Sequence, residues 1–92
     1  MREVVWRADA RDNLIEIIRF ISSENIAAAR RLQRQIQGAI HSASVHPCLY
    51  RIGRVDGTRE IVVLPNYIVV YRFTTTQIEV LSVLHARQQY PR

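Results

Sequence analysis

Lysine is missing from this chain; all thirteen of its basic residues are arginines. There is one cysteine, Cys48, so no intrachain disulfide and no Cys-rich metal site can form. Cys48 is expected to pack as a small hydrophobe. No apolar run approaches the roughly 18 residues that a membrane span needs. The first ten residues lack the continuous apolar stretch of a signal peptide, so a cytoplasmic location is expected. Glycine is scarce, and neither Gly53 nor Gly57 precedes a helix start, which excludes a phosphate-binding fingerprint. His41, His46 and His85 share no ligand spacing, and neither a metal nor a cofactor is expected.

What remains is an ordinary globular composition with an unusual charge. Ninety-two residues, 48% of them hydrophobic, suit one domain spanning 1–92. Charged residues make up 23%, too few for a disordered polyelectrolyte. Thirteen arginines against eight carboxylates leave a net charge of +5. The exclusive use of arginine has two possible sources, a genome biased toward arginine codons and an anionic partner.

Hydrophobic periodicity changes twice along the chain. Residues 3–7 form a short apolar run that reads as a strand. Asp9 is placed to cap a helix running to about Ser22. Ala10, Leu14, Ile17, Ile18 and Ile21 recur at helical spacing on its buried stripe, with Phe20 and Ile15 beside it. Asn25 is placed to cap a second helix over 26–44. Ala28, Ala29, Leu32, Ile36, Ala39, Ile40 and Ala43 fall on one face of it, and Arg30, Arg31, Arg34, Gln37 and His41 on the other. Pro47 ends that helix, and 48–58 reads as a loop. Three strands over 59–64, 67–73 and 77–84 follow, joined by two short turns, which predicts an antiparallel meander.

The expected fold is therefore a two-layer α+β domain in the order β-α-α-β-β-β. One sheet face packs on the helices. The other has thin polar content, because Val62-Val63-Leu64 and Ile68-Val69-Val70 place apolar groups on both faces. Something beyond the two helices is expected to cover it, namely a partner protein. Ile15, Val62, Leu64, Ile68 and Val70 are the candidates for that contact.

Several segments together resemble the RelE/ParE toxin superfamily over nearly the whole chain. They are Trp6 before a helix, the Ala27-Ala28-Ala29-Arg30-Arg31-Leu32 opening, and His46-Pro47. Further along come Gly57-Thr58-Arg59-Glu60-Ile61-Val62, Pro65 to Arg72, and the ending Val83 to Pro91. The resemblance implies the toxin of a bacterial type II toxin–antitoxin pair, whose partner is an antitoxin wrapped over apolar surface in a hetero-oligomer. It carries two alternative activities, poisoning of DNA gyrase in ParE-like members and ribosome-dependent mRNA cleavage in RelE-like ones.

Cleavage by a 2′-hydroxyl needs proton-transfer groups and cations around the phosphate. Arg59, His85, Arg87 and Tyr90 are the candidates. The resemblance implies that RelE-like nucleases carry a key arginine directly after the aromatic residue opening the middle meander strand. That aromatic matches Tyr67, and the next position here is Ile68, which cannot hold a phosphate. This departure favours the ParE-like reading, with no hydrolytic chemistry and with Arg87, Tyr90, Arg92 and Arg59 as target-binding residues. A third possibility is a small RNA-binding sheet on which Tyr67, Tyr71 and Phe73 would stack bases.

Overall fold

A computed structural model describes residues 1–63 and 66–87. Strand β1 (Glu3–Trp6) leads into helix α1 (Ala8–Ser22) and helix α2 (Ile26–Val45). Then come β2 (Arg51–Ile52), β3 (Arg59–Val63), β4 (Tyr67–Phe73) and β5 (Gln77–His85). The sheet order is β1-β5-β4-β3-β2. β3, β4 and β5 form the antiparallel meander, while β1 returns to pair parallel with β5. The two helices pack against each other and against one face of the sheet. The α+β architecture and its element order follow the sequence pattern.

Three expectations are corrected. Helix α1 begins before Asp9: Arg7 occupies the N-cap without a side-chain bond, and Asp9 lies in the first turn, where its charge meets the positive helix end. The stretch 48–58 is not all loop, because Arg51 and Ile52 pair with Glu60 and Arg59. Gly53 makes that hairpin possible, since a Cβ there would lie 2.2 Å from Thr58 Oγ1. Cys48 is exposed rather than packed. By contrast, Asn25 caps α2 as its sequence position implies, its Oδ1 accepting from the Ala28 amide at 3.0 Å.

The core joins Ala10 of α1, Leu32, Ile36, Ile40 and Ala43 of α2, and Ile61, Val63, Val69, Tyr71, Ile78, Val80 and Val83 of the sheet. Phe20 and Ile15 stand outside it, 69% and 48% exposed.

Two polar contacts fix this core to its surroundings. β5 has nine residues but β1 only four, so on the side away from β4 the far half of β5 has no strand beside it. Asn13 of α1 reaches into that gap, and its Oδ1 accepts from the Val83 amide at 3.1 Å. A register shift between Val70 and Tyr71 marks a bulge in the same region. The second contact is Tyr71, fully buried, whose hydroxyl donates to the Pro47 carbonyl at 2.5 Å and ties the segment after α2 to the sheet. Burial pushes its hydroxyl up to about 12; the neighbouring Arg59 guanidinium pulls the other way but less strongly.

Both contacts are open to test. Asn13→Ala leaves a part-buried amide unpaired and should destabilise the fold by about 1–2 kcal/mol in urea unfolding. Tyr71 keeps its proton in the folded state to higher pH than in the unfolded chain. Its contribution is therefore fully present below about pH 10 and is lost as pH rises toward 12. Ultraviolet titration should show a tyrosinate step near pH 12 that Tyr71→Phe removes, and the variant should lose part of the alkaline decline in stability.

Candidate functional site

The sheet face away from the helices is bounded by ion pairs at both ends. At the β2 end, Glu60 is 2% exposed. Its Oε1 accepts from Arg51 Nε at 3.0 Å and Nη2 at 2.8 Å, and its Oε2 from the Arg54 amide at 3.1 Å. A carboxylate this buried needs such partners to stay in a strand. At the β1 end, Glu79 pairs with Arg72 and, at 3.7 Å, with Arg7. Between them lie Val62, Ile68, Val70, Ser82 and Leu84 in neighbouring registers.

The proposed partner-binding residues divide on this face. Val62 is 49% exposed and available, as is Ile15 on α1. Ile68 and Val70 are not: each is 3% exposed, buried within the chain itself. Both lie on the central strand, where β3 and β5 flank them on either side, so side chains on two strands crowd them. Leu64 lies outside the described residues.

Of the residues suggested for cleavage chemistry, Arg59 stands apart from His85 and Arg87. Arg59 stands opposite Tyr71 on one side of β4, and His85 opposite Tyr67 on the other. Four residues along a strand separate those levels by about 13 Å, and the two intervening strand spacings add about 10 Å laterally. Their backbone positions are therefore about 16 Å apart. The Arg59 guanidinium is also engaged, donating to the Tyr50 carbonyl at 2.9 Å and the Cys48 carbonyl at 3.4 Å. It holds the segment that Tyr71 holds, so its visible work is structural.

His85 is half-buried at the end of β5, with its ring edge-on to Tyr67 at 5.4 Å between centroids. Its Nδ1 accepts from the Arg87 amide at 3.1 Å, which places the proton of the neutral ring on Nε2. Arg87 is exposed just beyond, while Tyr90 and Arg92 lie outside the described residues. Next to Tyr67 opens a cleft of about 430 Å³ lined by Ile21, Ala28, Arg31, Leu32, Gln35 and Asn66. No cluster of His, Cys, Asp or Glu among the described residues could hold a metal ion.

The base-stacking reading fails on orientation. Tyr71 is fully buried in the core, and Tyr67 and Phe73 pack against that core on the helix side. None of the three offers a free platform on an open sheet.

Sequence reasoning missed Asn13, Tyr71 and Glu60 as organising residues. A polar signal existed for two of them. Asn13 adjoins the apolar stripe of α1, and Glu60 is the one carboxylate in a strand that is apolar from Ile61 on.

The profile of a family described as the ParE toxin of the type II toxin–antitoxin system parDE matches residues 4–90. Y4kP, a candidate toxin of Sinorhizobium fredii, is 34% identical over 92 residues, covering 99% of this chain and 95% of its own length. Among solved structures, a chain of the chromosomal ParDE system from P. aeruginosa superimposes with a TM-score of 0.80 at 15% identity, covering 95% of this chain and 98% of that one. The YoeB/ParE toxin from Agrobacterium tumefaciens gives 0.65 at 17% identity, covering 90% and 97%. YafQ from E. coli gives 0.55 at 11%, covering 92% and 93%. At such identities these structures share the fold alone. The profile match over nearly the whole chain goes further, and the protein belongs to the ParE toxin family of type II toxin–antitoxin systems.

Proposed function

We propose that this chain is a ParE-like toxin that poisons DNA gyrase once released and is held inactive by a cognate antitoxin, as in a plasmid-stabilising pair. The observation that carries the reading is the dispersal of the would-be nuclease groups. Ile68 stands buried where a RelE-like enzyme is expected to present arginine, and Arg59 is tied to backbone carbonyls a strand-length from His85. A toxin that acts by binding has no need to gather these groups. The target-binding role then falls to the exposed Arg87, with Tyr90 and Arg92, rather than to Arg59. The antitoxin is proposed to bury Ile15 and Val62.

The deciding experiment runs gyrase supercoiling and cleavage-complex assays beside ribosome-dependent mRNA cleavage. Inhibition of supercoiling with intact mRNA is expected; mRNA cleavage without an effect on gyrase would assign the chain to the nuclease branch instead. His85→Gln should leave growth inhibition largely intact. Loss of a general acid or base lowers rates by roughly 10²–10⁴-fold, so a collapse of that size would restore His85 to a catalytic role. For the antitoxin, burying an isoleucine is worth about 1.5–3 kcal/mol. Ile15→Asp should therefore weaken antitoxin binding at least tenfold in calorimetry, with the toxin's own melting temperature little changed.

A further inference from the structure

The solvent face of α2 combines two features that the fold does not require. The first is charge without partners. This helix of 20 residues contains three arginines and no carboxylate. Arg30, Arg31 and Arg34 are all exposed. Among the described residues, no ion pair or side-chain hydrogen bond involves any of them, whereas Arg7, Arg51, Arg59 and Arg72 are all engaged. The second is Gly38, exposed in the middle of the same helix. A Cβ at Gly38 would meet nothing within 4 Å, and its φ is not positive. Neither packing nor backbone conformation needs glycine there, yet it destabilises a helix by about 0.5–1 kcal/mol relative to alanine.

The two features share one surface. At 100° per residue, Ala27, Arg31, Arg34, Gly38 and His41 form a row pointing away from the buried Leu32, Ile36 and Ile40, with Arg30 beside it. Small residues at 27 and 38 bracket the arginines, leaving bare helix backbone beside free guanidinium groups. That arrangement suits close approach by a negatively charged backbone.

We propose that this face of α2 binds the phosphate backbone of duplex DNA. From Arg30 to His41 the helix rises about 16 Å, a length over which a duplex presents on the order of nine phosphate charges. Arginine and glutamine are residue types that position proteins on phosphates, and Gln37 is exposed alongside. An acidic protein partner fits less well, because the row from 27 to 41 has no aromatic or large aliphatic side chain to anchor a protein interface. The inference concerns the toxin's own contact with DNA and holds whichever cellular target the toxin has.

The test is fluorescence anisotropy of the full chain with a random-sequence 20-base-pair duplex, with no gyrase or antitoxin present. If three phosphates are engaged, affinity should fall roughly 40-fold between 50 and 200 mM salt. Arg30→Gln/Arg31→Gln/Arg34→Gln should remove most of that dependence, whereas Arg19→Gln on α1 should change affinity less than twofold. Gly38→Gln separates binding from folding: the variant should melt at a higher temperature and yet bind DNA several-fold more weakly. Three results would each overturn the proposal. They are an unchanged salt slope in the triple variant, a loss with Arg19→Gln as large as with Arg34→Gln, and wild-type affinity in Gly38→Gln. The same variants titrated against antitoxin or the gyrase A subunit supply the remaining arm. Weakening there with DNA binding intact would reassign the face to a protein.

Discussion

The central strand β4 is the constraint on which this structure depends. Ile68, Val69, Val70 and Tyr71 are buried in succession, so the strand is hidden on both faces although the helices cover only one. On the helix side Val69 and Tyr71 complete the core with Ile36, Ile61 and Val83. On the other side Ile68 and Val70 are sheltered between β3 and β5, with ion pairs at either end of the face. Fixing β4 in this way leaves little freedom to its neighbours. A slip of one residue would exchange the two faces, removing Tyr71 from the core and from its bond to Pro47.

How far the sequence discloses such a structure depends on the range of the interactions involved. The second helix is legible almost to the residue, because its 3.6-residue apolar stripe, the Asn25 cap and the Pro47 stop all lie within a turn of what they control. The meander is legible for the same reason. β2 is not, since two residues carry no periodicity and their pairing depends on the Arg51–Glu60 contact across nine positions. Nor does any local pattern announce that β1 pairs parallel with β5, or that Asn13 bridges 70 positions to Val83. The two-sided apolarity of β4 was visible in the sequence, but it led to a partner-covered surface, whereas the chain covers Ile68 and Val70 itself. Periodicity shows that a residue wants burial; it does not show what buries it.

The candidate site fared in a related way. Residue types suited to phosphate chemistry are legible in the sequence, and their separation in space is not. Arg59 and His85 occupy the two strands flanking β4 and sit at different levels along it. A fold supports whatever chemistry its side chains converge upon. Here the sheet that could host such convergence is filled by valine and isoleucine, while polar groups are spent on holding the 47–54 segment in place. The fold is shared with YoeB/ParE-type and YafQ toxins at 11–17% identity, a range in which architecture persists while site residues drift.

The arginines divide by the same logic. Arg2 donates to the Thr74 carbonyl and lies over Phe73, Arg59 clamps two carbonyls, Arg51 satisfies a buried carboxylate, and Arg7 and Arg72 share Glu79. In these places the planar, forked guanidinium is used for its geometry, which an ammonium group could not reproduce. On α2 the same residue type makes no such contacts among the described residues, so its role there is reduced to charge. Exposed charge contributes little to folding, because water and salt screen it within about 10 Å. It does act on whatever approaches, and a net charge of +5 with three positive groups on one helix that have no ion pair among the described residues concentrates that attraction on one side of the molecule. The engaged arginines therefore serve the fold, and the reach of the protein toward anionic partners falls to the arginines of α2. The two properties can be altered separately because, among the described residues, no contact of one group involves the other.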